Sequence, residues 1–225
     1  MKDTKVVIDF YHDVVCSWCF VMSPRLRIIS KELPIEVRHR SFVLQDSREE
    51  MVRRWGSLED AKTQIMGHWA ACAEVDDYEG RINVEGMMRQ TFEYPSGLAG
   101  TLACKAAEIQ GGQEAHWDMF DAVQKAHLTD SRNIADTDVL MDVARQVGLK
   151  MDRFEVDFLH PETRRLVEVD RAEARRLGIR SIPSLVIMEA GILMQTTPLP
   201  ELRENLKAVQ AHLETARAAG TPAQA

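Results

Sequence analysis

The chain has 225 residues, 45% of them hydrophobic, which suits one large domain or a domain with an inserted subdomain. A net charge of −7 without a dense Lys/Arg run argues against a nucleic-acid partner. No apolar stretch approaches the roughly 20 residues of a membrane helix, and Asp9 interrupts the N-terminal apolar run before it reaches the length of a signal peptide. We therefore expect a cytoplasmic protein without a membrane partner.

The N-terminal part alternates between strand and helix patterns. Residues 5–11 (KVVIDFY) predict a buried strand, residues 17–33 a helix, and residues 35–43 a second strand. Ser23-Pro24 inside the helical stretch is typical of a helix restart, so we expect a kinked or broken helix there. The result is a βαβ unit with a C-x-x-C motif at the start of its helix.

A long helical block follows, rich in Ala, Met, Glu and Gln. Breakers such as Gly111-Gly112 separate its predicted helices, which are 47–54, 57–77, 96–111, 113–128, 136–148 and 151–158. No strand pattern interrupts residues 46–162, so we interpret this block as a helical insertion.

Strand and helix patterns then return. Residues 163–177 predict an amphipathic helix, and a strand opened by Ile182-Pro183 pairs with residues 192–195 in a hairpin before a last helix at 200–214. The chain thus divides into one α/β domain, residues 1–45 and 163–213, the helical insertion, and an expected disordered tail at 214–225.

The motif Cys16-Ser17-Trp18-Cys19 carries the main chemical signal. A helix N-terminus offers free N–H donors and a positive dipole end, which stabilise a thiolate. Such a pair suits thiol–disulfide exchange, with Cys16 attacking and Cys19 resolving the mixed disulfide. Half of a zinc site and an inert buried pair remain alternatives, but zinc takes about four ligands and no second C-x-x-C exists. We expect no metal and no cofactor.

Five other residues could contribute to the chemistry. His12 could stabilise the thiolate, although we favour a bond to a backbone group. Asp13 is interpreted as a turn residue and His39 as a surface residue. Cys72 and Cys104 are interpreted as buried thiols rather than a second redox pair. We favour core packing over a substrate groove for the Met and aromatic residues of the helical block.

The order of elements resembles the thioredoxin superfamily, and the long insertion resembles the DsbA family, most closely its FrnE-like branch. The matching segments are 13–19 (DVVCSWC), 41–44 (SFVL), 143–149 (VARQVGL) and 177–187 (LGIRSIPSLVI). The resemblance spans residues 5–213. It implies an α/β thioredoxin fold, βαβ followed by ββα, with a large all-helical insertion.

The resemblance also implies roles for single residues. Cys16 would be the nucleophile and Cys19 the resolving thiol. Pro183 would be the cis-proline, with Ile182 lining the substrate-binding edge.

Three residues are candidates for tuning the site: Ser17, Trp18 and His12. Many relatives have Pro where Ser17 stands, so a redox potential does not transfer. The hairpin ending EAGILMQTTP also departs from the family pattern.

The leading interpretation is a disulfide oxidoreductase whose partners are disulfide-bearing proteins, with glutathione as a further candidate. One alternative is a glutathione-dependent isomerase or transferase, similar to 2-hydroxychromene-2-carboxylate isomerase or kappa-class glutathione transferase. Those relatives typically have Ser where Cys16 stands, and the intact pair counts against this alternative. The other is a chaperone-like binding protein whose activity survives loss of both thiols.

Overall fold

A four-stranded sheet in the order β2-β1-β3-β4 forms the centre of the protein. The computed structural model describes residues 5–219, and its strands are Val6–His12 (β1), Ile35–Ser41 (β2), Ser184–Ile187 (β3) and Ile192–Met194 (β4). β1 is parallel to β2 and antiparallel to β3, and β3 is antiparallel to β4. This mixed sheet is the one that the resemblance to the thioredoxin superfamily implies.

Helices account for most of the remaining chain. They are Ser17–Glu32 (α1), Arg48–Trp55 (α2), Leu58–Ala73 (α3), Val84–Arg89 (α4), Leu98–Gln124 (α5), Thr137–Gln146 (α6), Met151–Leu159 (α7), Pro161–Arg176 (α8) and Leu199–Ala218 (α9). A π-helical turn, Lys125–Thr129, extends α5, and a short 3-10 turn, Met188–Ala190, joins β3 to β4. Within residues 5–219, no helix combines the length and apolar composition needed to cross a bilayer.

His39 is fully buried, so the expectation of a surface position was wrong. Alternate residues of a strand share a face, and His39 follows Ile35 and Val37 on the buried face of β2. α5 lies over this face, where the His39 backbone N–H donates to Gln113 Oε1 at 2.5 Å. Because α5 covers this face of β2, a polar residue on it is buried.

The sequence predicted a kinked or broken helix at Pro24, and α1 continues through this residue without a break. Proline has no N–H to donate, which leaves the carbonyl oxygen of Phe20 without its helical partner. Arg81 Nη2 donates to that oxygen at 2.9 Å. The same guanidinium lies 3.9 Å from the Phe20 ring centroid and pairs with Asp76. A side chain from the helical block thus replaces the missing helical bond.

The helical block between β2 and α8 largely follows the prediction. α5 changes direction at Gly111 and Gly112, whose dihedrals are non-helical, where the sequence predicted a boundary between two helices. The short helix α4 was not predicted. It begins at an Asn83 side chain that accepts from the Gly86 N–H at 2.8 Å, an N-cap that precedes only six helical residues.

α9 extends further than expected. Residues 214–218 are helical, so the prediction of disorder from 214 onward was wrong for them. Leu213 is buried and anchors the last turns, and the alanine-rich sequence after it has high helix propensity. The remainder of the predicted tail, residues 220–225, lies outside the described residues.

Candidate active site

The C-x-x-C motif lies where β1 gives way to α1. Cys16 is the N-cap of α1, with an extended backbone, and its Sγ accepts from the Cys19 N–H at 3.3 Å. A turn closed by the bond from Cys16 N to Asp13 O, 3.1 Å, leads into it. The sulfur therefore occupies the position that a capping side chain normally fills at the positive end of a helix.

The two motif thiols have different environments. Cys16 exposes 6% of its surface and Cys19 exposes none. Burial, and the adjacent Cys16, raise the pKa of Cys19 well above its ordinary value. Cys19 is therefore a protonated thiol behind a partly accessible one.

The loop before β3 completes the front of the site. The Ile182–Pro183 peptide bond is cis. Cys16 Sγ lies 3.8 Å from the Ile182 carbonyl oxygen, across 166 positions of sequence. Pro183 is buried and Ile182 is half-buried. The structure thus brings together Cys16, Ile182 and Pro183, which the sequence analysis selected as one site.

Cys72 contacts the motif, which sequence spacing did not indicate. Its Sγ donates to Ser17 Oγ at 3.0 Å. Burial raises the pKa of Cys72 to about 12 and also raises the pKa of Cys104 well above its ordinary value. All four cysteines are buried free thiols. These features agree with the interpretation of Cys72 and Cys104 as buried thiols.

Asp13 holds the turn before the motif. Its carboxylate accepts from the backbone N–H groups of Leu44, at 2.6 Å, and Val15, at 3.3 Å. Burial raises its pKa to about 6, although these N–H donors oppose the shift. Asp13 therefore has the turn role that the sequence analysis favoured, and it connects the motif to the segment after β2.

Gln124 of α5 holds the same turn from the other side, and the sequence analysis missed it. Its buried amide donates to the carbonyl oxygens of Cys16, at 3.0 Å, and of Asp13 and Val14, each at 3.4 Å. The backbone of α5 also approaches closely, since a Cβ on Gly100 would lie 2.7 Å from Val14 Cγ2. No sequence pattern near the motif indicates that a glutamine more than a hundred residues away donates to its backbone.

His12 contacts other imidazoles. Its Nε2 lies 3.0 Å from His39 Nδ1, and its ring centroid lies 5.3 Å from that of His116. Burial and the adjacent His116 lower the pKa of His12 well below its ordinary value. The favoured expectation of a bond to a backbone group was therefore wrong.

A pocket of about 310 Å³ opens in front of Cys16, between the motif, the helical block and the cis-proline loop. Four aromatic side chains contribute to its wall, namely Trp18, Trp55, Trp69 and Tyr94. Three exposed basic side chains line the same pocket, namely Arg54, His68 and Arg180. Trp18 also lines a neighbouring pocket of about 290 Å³ beside Pro183 and Gln195. The site therefore offers an apolar surface with the guanidinium groups of Arg54 and Arg180 beside it.

Most of the Met and aromatic residues selected in the helical block lie in the core, as expected. The buried ones are Met66, Trp69, Met87, Trp117, Met119 and Phe120, whereas Met88 is 49% exposed. Trp69 has both roles, because it is fully buried and lines the pocket.

The sequence pattern of the DSBA-like thioredoxin domain matches residues 7–207. The chain belongs to the DSBA-like thioredoxin domain family. This match includes both Cys16 and Pro183, and it includes the whole helical block between them. The DSBA-like family comprises thiol–disulfide oxidoreductases and related isomerases.

Several solved structures have the same DSBA-like fold. A candidate protein disulfide isomerase from Nitrosomonas europaea is 21% identical, with 93% of this chain and 100% of that chain covered and a TM-score of 0.78. The cytosolic disulfide reductase DsbM from Pseudomonas aeruginosa is 22% identical over 94% of this chain and 98% of its own, with a TM-score of 0.69. A 2-hydroxychromene-2-carboxylate isomerase is 11% identical over 96% and 99%, with a TM-score of 0.63.

Proposed function

We propose that this DSBA-like chain is a thiol–disulfide oxidoreductase whose reacting groups are Cys16 and Cys19. The observation that carries the proposal is the position of Cys16 Sγ, which caps α1, lies 3.8 Å from the Ile182 carbonyl and faces an open pocket. A helix N-terminus stabilises a thiolate in that position. Cys19 lies one turn into the helix, where its N–H already contacts the Cys16 sulfur.

The proposed reaction has two exchange steps. The Cys16 thiolate attacks one sulfur of a substrate disulfide, forming a mixed disulfide and releasing the other substrate sulfur as a thiolate. Cys19 then loses its proton and attacks Cys16 Sγ, which releases the second substrate thiolate and leaves a Cys16–Cys19 disulfide. Two electrons pass to the substrate, and a thiol reductant returns them to the protein.

The pocket supports a substrate class for this reaction. Aromatic walls with Arg54 and Arg180 nearby suit disulfides that carry carboxylates, either acidic peptide segments or glutathione disulfide. Glutathione is therefore also our candidate for the reducing thiol, and DsbM, a structural neighbour, is known in a complex with GSH. Because DsbM is described as cytosolic, we place the proposed activity in the reducing cytoplasm, as a reductase or isomerase.

Reduction of insulin by the purified protein with glutathione as the reductant tests the proposal. Cys16→Ser should abolish turnover, and Cys19→Ser should accumulate a mixed disulfide at Cys16 that mass spectrometry detects. Cys104→Ala is the matched control, because it removes a buried thiol from α5 and should leave turnover unchanged. Equal turnover in the wild type and Cys16→Ser would contradict the proposal.

The same variants separate the two alternative functions. The apolar pocket wall and the isomerase neighbour favour a glutathione-dependent isomerase as the second candidate. That function needs no second thiol, so it predicts glutathione-dependent isomerisation of a hydroxychromene carboxylate that survives Cys19→Ala. A chaperone-like protein would still suppress aggregation of a denatured client after loss of both Cys16 and Cys19.

A further inference from the structure

Three histidines from three elements meet inside the protein, between the sheet and α5. They are His12 at the end of β1, His39 on β2 and His116 on α5, and each exposes 2% of its surface or less. One ring nitrogen from each lies within 4.8 Å of the other two. Phe10, Trp117 and Phe120 surround the rings.

The three imidazole rings are in contact with one another. His12 Nε2 lies 3.0 Å from His39 Nδ1, and the ring centroids of His39 and His116 lie 4.8 Å apart in a stacked arrangement. A neutral imidazole has one protonated nitrogen and one nitrogen with a free lone pair. The lone pair is the group that binds a transition metal. The cluster therefore places three rings that can each offer a lone pair in one small volume.

Glu108 orients one of these lone pairs. Its Oε2 lies 2.7 Å from His116 Nδ1. A carboxylate oxygen at this distance accepts the Nδ1 proton, so Nε2 carries the lone pair. Metal-binding histidines are typically held in this way by a carboxylate on the other ring nitrogen.

Some ring nitrogens of the cluster have no hydrogen-bond partner within the described residues of the protein. The contact between His12 Nε2 and His39 Nδ1 uses one nitrogen of each ring. His12 Nδ1, His39 Nε2 and His116 Nε2 have no hydrogen-bond partner in the part of the chain that the structure describes. Buried polar atoms are nearly always paired, so three unpaired nitrogens among three touching rings point to a ligand.

We propose that His12, His39 and His116 form a buried site for a divalent transition-metal ion, with zinc as the best match. Zn–N bonds of about 2.0–2.1 Å in tetrahedral geometry place ligand nitrogens about 3.3 Å apart. The candidate nitrogens of the three rings lie within 4.8 Å of one another, so rotation of a ring must bring them to this spacing. Three histidines leave one coordination position for a water molecule.

Charges behind the ligands suit a cation. Glu108 contacts His116 directly, and Lys105 connects Glu108, at 2.8 Å, to Asp170, at 2.7 Å. Because the cluster is buried, the metal would enter during folding and would tie β1, β2 and α5 together. His12 directly precedes the turn that leads to Cys16, so the site would have a structural role beneath the motif.

Refolding with a metal ion tests this site independently of the dithiol chemistry. The full chain is unfolded with a chelator, refolded with Zn²⁺ or Co²⁺ in the presence of a phosphine reductant, desalted, and assayed by elemental mass spectrometry. We expect about one ion per chain, because the three histidines form one site. The Co²⁺ form should show visible d–d bands without a thiolate charge-transfer band, and both signals should persist in the Cys16→Ser/Cys19→Ser double variant.

His116→Gln should reduce the metal content to that of a buffer blank. His127→Gln is the matched control, because His127 is equally buried and bonds Tyr94 outside the cluster. If His116→Gln does not fold, Glu108→Gln should still weaken metal affinity by about 10- to 100-fold in chelator competition. Blank-level metal in the refolded wild type, or metal that depends on the cysteines and not on His116, would overturn the proposal.

Discussion

The side-chain amide of Gln124 donates to the main-chain oxygen of Cys16 at 3.0 Å, across 108 positions of sequence. The helical block therefore supports the turn that leads into the C-x-x-C motif. Gln124→Leu keeps a similar volume but removes the donor for this turn, so it should lower the free energy of unfolding by about 1–3 kcal/mol. Guanidinium denaturation and insulin reduction measure the loss of stability and of activity.

Gln146→Leu is the control for that substitution. Gln146 is exposed on α6 and bonds only the neighbouring Asp142, so its replacement should leave both measurements unchanged. If Gln124→Leu were as stable and as active as the wild type, the turn would not need the Gln124 hydrogen bonds to keep its conformation.

Substitution by alanine should have opposite effects on stability at two glycines. In Gly100→Ala, the new Cβ would lie 2.7 Å from Val14 and 3.1 Å from Val123, so the variant should lose about 1–3 kcal/mol through overpacking. In Gly67→Ala, the Cβ would meet nothing within 4 Å on an exposed face of α3, so the variant should gain about 0.5–1 kcal/mol. Thermal denaturation of both variants tests this, and a loss of stability at both positions would refute the stated cause.

Thiol labelling should separate the four cysteines. Burial raises the pKa of Cys72 to about 12 and also raises the pKa of Cys19 and Cys104, so these three thiols stay protonated at pH 8. Iodoacetamide should therefore label only Cys16 in the native protein and all four cysteines in denaturant. Peptide mass spectrometry reads the result, and native labelling of Cys72 as fast as Cys16 would disprove this assignment.

Protonation of the unfolded chain at His127 should lower the stability of the protein in mild acid. Burial lowers the pKa of His127 from 6.5 to about 4, so below pH 6.5 the unfolded chain takes up a proton that the folded chain refuses. The contribution of neutral His127 to the free energy of unfolding is fully present above pH 6.5 and is lost as the pH falls from 6.5 to about 4. The loss is at most about 3 kcal/mol. Asp13 acts in the opposite direction, because its pKa is raised to about 6.

His127→Gln isolates that contribution. The variant removes the titrating ring, and its free energy of unfolding should decline less steeply than that of the wild type between pH 6.5 and 4. Denaturant titrations at several pH values measure both slopes. Parallel profiles would exclude His127 as a source of the acid sensitivity.

The arginines at the pocket should select charged disulfides. Arg54→Ala or Arg180→Ala should raise the KM for glutathione disulfide by about two- to fivefold, the modest effect expected of exposed cations. Hydroxyethyl disulfide, which has no charge, serves as the control substrate, and its KM should not change. Arg153→Ala, on an exposed face of α7, is the control variant. An equal rise in KM for Arg153→Ala would indicate that the net charge of the protein attracts the substrate, and not the arginines at the pocket.

Sequence patterns predicted the features that depend on neighbouring residues. The strand, the C-x-x-C motif and the start of α1 are local, and so is the hairpin after Pro183. The position of His39 was also predictable, because its alternation with Ile35 and Val37 places it on the buried face of β2. Its polarity led to the wrong expectation, since a surface position is the usual one for a lone strand histidine.

Other features depend on how α5 lies against the sheet. The contacts from Gln124 to Cys16 and from His116 to His39 join residues far apart in sequence. The carbonyl oxygen that Pro24 leaves without a helical partner accepts from Arg81, which comes from the helical block. Single-sequence patterns report local preferences and do not include such contacts, so neither the support of the motif nor the three-histidine cluster was accessible from them.

The unequal exposure of the two motif sulfurs fixes the order of events for any large substrate. A sulfur with no exposed surface cannot be approached by a folded client, whereas Cys16 borders the open pocket. Every covalent complex with such a client should therefore have a single attachment point. In the proposed reaction the protein is therefore asymmetric toward its substrates, because Cys16 would form the covalent bond with them and Cys19 would release them.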